Sequence, residues 1–350
     1  MPSLHEILPR IQDRLTAWWE HREQKNPCLL ITLPDERIEP LPETDDLHRH
    51  WFDVDYVISH AMRGIERTIY RGVAVPCHFP NLGSAAMAGV VGAHMHYRDK
   101  RTIWAYPSCA SLEQVLEIEL DPHNLFYGTL LEITRRSVAL SRDHHLVAPF
   151  PLEGPGDVLE GLYGAEKLLV AMLEQPALVE RAVAHLERIW IQAFEEVSRL
   201  IESAGNPGGI GWAGIWAPGR TFPLQEDFSY MISPAMFRRF LLPSLRNIVD
   251  AMPYPMFHLD GTTNHLDALL EIPGLRAIQW VPGPGREAIR PWYDLIRYIL
   301  SKGKSVEVFA TYDEIDDLVA NVGARGLLIA PRDLTPEQAE RLLEKYGAGD

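Results

Sequence analysis

Sulfur is scarce in this chain. Its 350 residues hold three cysteines, Cys28, Cys77 and Cys109, far apart and odd in number. That speaks against a disulfide framework. Without any C-x-x-C pair it also speaks against a structural zinc module. Positive charge is in short supply too, with 33 Lys plus Arg against 48 Asp plus Glu and a formal charge of −15. No basic run interleaves with aromatics, so neither nucleic acid nor an anionic membrane surface is an expected partner. No stretch approaches the ~18 continuous apolar residues of a membrane span. The opening segment, MPSLHEILPRIQDRLTAWWEHREQ, is charged, helical in pattern and without the apolar core of a secretory leader. The expected location is cytoplasmic. Ser/Gly linkers, repeats and low-complexity tracts are missing as well, so 1–350 reads as one domain.

What is present is a repeated alternation. Short apolar runs rich in β-formers, each closed by Gly, Pro or Asp, occur at CLLITLP (28–34), VAVPCHFPNLG (73–83), HHLVAPFPLEG (144–154) and GGIGWAGIW (208–216). They continue at YPMFHLDG (254–261), AIQWVPG (277–283), SVEVFAT (305–311) and GLLIAP (326–331). Stretches of helical periodicity lie between them. Within 163–204, for example, Leu168, Leu169, Met172, Leu178, Val183, Leu186, Trp190 and Phe194 recur near period 3.6. Eight strands alternating with helices predict an α/β fold with a parallel sheet, closed as a (β/α)₈ TIM barrel. Residues 1–24 read as an added N-terminal helix, and 84–143, longer than one crossover needs, as an inserted lid or extra helices.

Active sites of such barrels lie at the C-terminal strand ends. Glu153 follows the third run, Trp212 and Trp216 the fourth, Trp280 the sixth, Asp313 the seventh and Arg332 the eighth. The fifth ends in FHLDGTTNH (257–265), where alternation puts His258 and Asp260 on one side of a strand. That pair suits metal ligation, acid–base work or a hydrogen bond closing a turn. Asn264 follows in the loop, and His265 reads as a surface residue opening the next helix. Ser233 and Pro234 carry the signature of an N-cap and a first helical position. Gln225 and Asp227 therefore fall in a loop above the strand ends. Trp212, Trp216 and Trp280 suggest an aromatic-walled pocket. Arg220 is the candidate partner for a substrate carboxylate or for Asp227. His94 and His96 have H-x-H spacing, His144 and His145 read as exposed, and VPGPGR (281–286) lacks the context of a phosphate loop.

The block LQEDFSYMISPAMFRRFLLPSLRNIVDAM (224–252) with FHLDGTTNHLDALLEIPGLRAIQWVPG (257–283) resembles the uroporphyrinogen decarboxylase superfamily. There a similar S-P-x-M-F-x-x-F-x-L-P helix precedes a strand ending in His-x-Cys or a relative. The resemblance spans residues 150–345 and implies a (β/α)₈ barrel. The superfamily holds decarboxylases and zinc-dependent methyltransferases that pass methyl groups between corrinoid proteins, coenzyme M or related thiols. The flanking I-W-A-P-G-R and I-Q-W-V-P-G-x-G are similar to a methyltransferase-like branch.

The function this resemblance implies is transfer of a methyl group from a small methylated substrate to a corrinoid protein or thiol. A lyase or decarboxylase acting on a small non-porphyrin substrate is the alternative. His258, Asp260 and Asp227 are the implied catalytic residues, with Trp212, Trp216, Arg220, Gln225, Trp280 and Asn264 around the substrate. His258 and Asp260 occupy the places of family metal ligands, so zinc or another divalent metal is an expectation, with Glu153 or Asp313 as a third ligand. The partner classes left open are a small-molecule substrate, a corrinoid protein and a second copy of the chain as a homodimer. Two departures stand out. The R-x-x-R-Q-A-G-R segment that binds porphyrin carboxylates is missing, and no cysteine occurs in 110–350.

Overall fold

The computed structural model describes residues 3–347. Its strands are β1 (Cys28–Pro34), β2 (Thr68–Gly72), β3 (Cys77–His78), β4 (His94–Tyr97), β5 (Ile103–Tyr106), β6 (Leu146–Val147) and β7 (Gly209–Ile210). They continue as β8 (Trp216–Ala217), β9 (Thr221–Leu224), β10 (Tyr254–Asp260), β11 (Ala277–Val281), β12 (Ser305–Thr311) and β13 (Leu327–Arg332). Seven of them form a sheet in the order β2-β1-β13-β12-β11-β10-β9. All its pairings are parallel except β1 with β2. The chain is therefore an α/β protein built on a mostly parallel sheet, whose strands read as apolar runs because helices cover them.

The expectation of eight long strands needs correcting. Five of the eight runs supply strands of the main sheet. The other three give only two-residue strands: β3 pairs parallel with β6, and β7 pairs antiparallel with β8. The physical reason lies in the runs themselves. VAVPCHFPNLG carries Pro76 and Pro80, HHLVAPFPLEG carries Pro149 and Pro151, and proline has no N–H for a ladder. GGIGWAGIW weakens its strand with glycine, and at Gly208 (φ +74°) a Cβ would stand 2.2 Å from the Ala217 carbonyl oxygen. The sheet ends instead at β2 and β9, two segments the apolar pattern did not single out.

The N-terminal helix runs Leu4–Trp19, opened by a capping box between Ser3 and Glu6. It buries Trp18 and Trp19 against a cluster that includes Ile210, Trp216, Met256 and Leu328. The insertion 84–143 holds the helix Ala86–Val90, the β4–β5 hairpin and the helix Leu125–Ser141. Its Ala86, Phe126 and Leu130 belong to the same buried cluster as Leu29, Phe257 and Ile329 of the sheet. The periodic stretch after 163 forms the helices Ala165–Glu174 and Pro176–Glu202. Ser233 caps the helix Pro234–Phe240 by accepting the Met236 N–H at 3.2 Å, as its sequence signature implies. No helix of the described residues is long and apolar enough to cross a membrane.

Candidate active site

Parallel register sets three polar side chains in one row. His258 on β10 stands beside Gln279 on β11, and Gln279 beside Glu307 on β12. Gln279 Nε2 donates to Glu307 Oε2 at 2.7 Å, and Gln279 Oε1 lies 2.5 Å from His258 Nδ1. A carbonyl oxygen only accepts, so Nδ1 carries the proton and Nε2 is the basic nitrogen of the neutral ring. Burial pushes the Glu307 carboxyl up to about 8, partly offset by the Gln279 amide. An acid that keeps its proton at neutral pH can sit inside the sheet without an unpaired charge.

His258 and Asp260 line one cavity of about 320 Å³, together with Glu226, Asp227 and Arg286. This is the common side that alternation predicts. Asp227 opens a short 3₁₀ helix, Asp227–Met231, and also borders a second cavity of about 440 Å³ beneath the β4–β5 hairpin. Glu153 and Gln225 border that second cavity and a third of about 260 Å³, lined by Trp212, Phe222 and Arg101. The second cavity shares Asp227 with the first and Glu153 and Gln225 with the third, so the three adjoin as a cleft over the C-terminal strand ends. The Trp212 ring stands edge-on to His258 with centroids 5.2 Å apart, while its Nε1 donates to the Pro223 carbonyl.

Carboxyl groups crowd the cleft wall. Glu226 is 3% exposed and accepts the Gly156 N–H at 3.1 Å. Burial, then the Asp157 charge, raises it well above the ordinary range. Asp157 accepts the Phe228 N–H at 2.7 Å, and burial with the Asp227 charge pushes it up to about 7. Glu153 is 5% exposed and accepts the Met87 N–H at 2.6 Å. Burial is the main cause of its strongly raised carboxyl. Asp227 reaches solvent through the cavity, yet enough protein surrounds it that desolvation raises its carboxyl; His258 opposes this and Asp260 adds to it. Like charges in low dielectric cannot all ionise together. The cleft therefore favours the protonated forms of its carboxyls more than water does.

Backbone choices make this packing possible. A Cβ on Gly154 would come 2.3 Å from Glu226 Cδ, and one on Gly156 2.4 Å from Glu226 Oε2. The LEGPGD segment is glycine-rich because a carboxyl lies against it.

Several expected site residues lie elsewhere. Trp216 is buried at the opposite end, where its Nε1 donates to the Pro207 carbonyl and its own carbonyl accepts from Trp19 Nε1. Arg220 precedes β9 at that same end and pairs with Glu195 and Glu202, not with Asp227. Trp280 alternates away from Gln279 and packs against Trp292 on the helical side, centroids 4.9 Å apart. Asn264 is exposed and borders none of the three cavities. His265 is not a surface residue: it is 3% exposed, stacks on Phe237 and bonds the Ser229 carbonyl through Nε2. His144 is exposed as expected, whereas His145 is buried against Ser137. His94 and His96 lie exposed on the hairpin, and Arg332 covers the Phe309 ring. Asp313 falls in the first turn of the helix Tyr312–Val322. Glu226, Asp157, Gln279 and Glu307 escaped the sequence reading. The legible signal for two of them was a Gln and a Glu inside otherwise apolar strand runs.

The donor set does not fit the expected zinc. Glu153 faces the neighbouring cavities rather than the one holding His258 and Asp260. Among the described residues no three His, Cys, Asp or Glu side chains stand where they could share a metal ion. No cysteine borders the cleft. No family model matches the chain, and no curated protein matches it either.

Proposed function

We propose that this cleft is the active site of a methyltransferase-like enzyme that removes a methyl group from a small neutral or cationic molecule. The observation that carries this reading is the proton-holding carboxyl cluster beside His258. A methyl group leaves as a formal cation, and the heteroatom it leaves behind gains an electron pair that a nearby acid can protonate. Asp227, next to His258 and backed by Asp157 and Glu226, supplies that proton. His258, held by the Gln279–Glu307 row, offers its basic Nε2 as an acceptor to an N–H or O–H of the substrate. Gln225 and Trp212 wall the adjoining space, and Asp260 contacts the substrate from the outer rim. A corrinoid protein or a thiol brings the acceptor that takes the methyl.

Charge favours this reading over the alternative. A decarboxylase must hold an anionic carboxylate, and the His258 cavity sets one guanidinium, Arg286, against Glu226, Asp227 and Asp260. One guanidinium among these carboxyls offers an anion little net attraction. The same reading takes the sheet as the larger arc of a closed (β/α)₈ barrel. The main sheet runs in chain order from β9 to β13 and returns to β1, and the parallel β3–β6 pair would help complete the ring.

The experiment offers purified protein a panel of methyl ethers and methylammonium compounds, with reduced cobalamin or a small thiol as acceptor. Demethylated product and methylated acceptor appearing in equal amounts are expected. Carbon dioxide released from a carboxylated substrate, with no methyl transfer, would overturn the reading in favour of the lyase.

A further inference from the structure

The largest of the three cavities is also the most lopsided in charge. Glu153, Asp157, Glu160 and Asp227 border it, and no Lys, Arg or His of the described residues does. The rest of the lining is mostly apolar and includes Trp104 and Phe228. Trp104 is 58% exposed on the β4–β5 hairpin. Glu153 carries a second, independent signal. Its Oε2 is satisfied by the Met87 amide, but its Oε1 is buried without a partner among the described residues, on a side chain that borders the cavity. Asp157 Oδ2 is in the same condition. An unpaired buried carboxyl oxygen costs about 1–3 kcal/mol, so two such atoms on one cavity point to a ligand that satisfies both.

We propose that the cavity between the β4–β5 hairpin and the helix Pro155–Tyr163 binds the ammonium group of a small organic cation, its alkyl part lying against Trp104 and Phe228. A metal ion is a poorer fit, because the described carboxylates do not gather three at a time around one point. An alkylammonium ion is larger, spreads its charge and takes carboxylates on one side and aromatic faces on another. Burial holds Glu153, Asp157, Glu160 and Asp227 in the direction of the protonated form. A bound cation reverses that balance, so binding releases protons and tightens as pH rises. No other titratable group lines this cavity: the hairpin contributes Thr102, Ile103, Trp104 and Ala105, and the segment 84–88 only Ser and Ala. Glu226 adjoins Asp157, and burial and that neighbour shift it in the same direction.

As a binding site this stands on its own; as the subsite of the methyl donor it rests on the methyl-transfer reading. The test uses N-methylethanolamine, an ammonium at neutral pH whose N–H groups can donate to carboxyl oxygens, and its neutral isostere 1-butanol. Isothermal titration of the intact protein is expected to show the amine at least about tenfold tighter than the isostere, or about 1.4 kcal/mol. The same titration should show net proton release. Glu153→Gln keeps an oxygen for the Met87 amide and should weaken the amine about tenfold while leaving the isostere unchanged. If that variant fails to fold, Glu160→Gln at the same cavity gives the same comparison. Equal affinity for the two ligands, or no binding of the amine, overturns the inference. Binding of the amine with no demethylation of any compound in the methyl-donor panel leaves the site standing and removes the methyl-transfer reading. Demethylation of neutral ethers without binding of the amine does the reverse.

Discussion

The two ends of the same parallel strands have opposite characters. At the N-terminal end the helix Leu4–Trp19 closes the sheet mostly with matched partners, the buried Trp18 Nε1 being an exception. Trp19 Nε1 donates to the Trp216 carbonyl, Ser305 Oγ to the Trp18 carbonyl, and Arg220 is held by two glutamates. At the C-terminal end carboxyls crowd the cleft wall, and Glu153 and Asp157 each keep a buried oxygen without a partner among the described residues. A molecule selected for stability alone would not leave groups in that condition. Polarity at one end serves packing and at the other tolerates strain, and such strain concentrates at functional sites.

The largest expected effect tests the open end. Asp227→Asn should lower turnover ~10²–10⁴-fold, the usual contribution of a positioned acid or base. The urea midpoint should hardly move, because removing one of several crowded charges relieves repulsion. Product formation and unfolding measured on the same sample check both halves. Unchanged turnover would mean that the carboxyl cluster is not the working end.

At the closed end the outcome should invert. Trp19→Ala deletes a side chain 2% exposed, at an expected cost of about 3–5 kcal/mol of stability. Turnover per folded molecule should be unaltered. A variant that loses activity while keeping its unfolding midpoint would break the division between the ends.

A smaller effect probes the join between glycine and carboxyl. Gly156→Ala places a methyl 2.4 Å from Glu226 Oε2 and 2.9 Å from Leu241 Cδ2, an overpacking expected to cost about 1–3 kcal/mol. Adding Glu226→Gln should not relieve it, since the amide occupies the same space, whereas adding Glu226→Ala should recover part. Denaturant titration of the single and double variants measures the coupling.

The smallest effect is the pH slope from Glu307. The unfolded carboxyl loses its proton near the ordinary 4.5, while the folded one keeps it up to about 8. Between those values the folded state binds more protons than the unfolded state. The contribution of Glu307 is therefore fully present below 4.5 and is lost as pH rises to about 8. Glu307→Gln should flatten this part of the stability profile and be the more stable protein on the alkaline side. Urea midpoints across that range decide it, and a parallel shift with no change of slope would remove the Glu307 proton from the account.

Much of the frame was legible in linear order. The five long strands fell within apolar runs ended by turn residues, because a strand covered by helices must be apolar on both faces. The Leu4–Trp19 helix was readable from its charged, helical pattern, and the start of the helix Pro234–Phe240 from the Ser233–Pro234 capping signature. His258 and Asp260 could be placed together because a strand repeats every two residues. Position at a strand end was a poorer guide for single residues. Trp280 obeys the same alternation as Gln279 but on the other face, and Arg220 lies at the start of its strand rather than the end.

What the sequence alone determined, then, is whatever repeats locally: strand and helix periods, caps, the helix-filled insertion and an acidic chain with little sulfur. The tertiary structure decided which distant groups share one space. Asp157 meets Glu226 and Asp227 across some seventy residues of chain, and His258, Gln279 and Glu307 become neighbours through the register of three strands. No local pattern encodes such meetings. Electrostatic interaction falls with distance in space and is blind to distance along the chain, so the protons held in this cleft became visible only once the chain was folded.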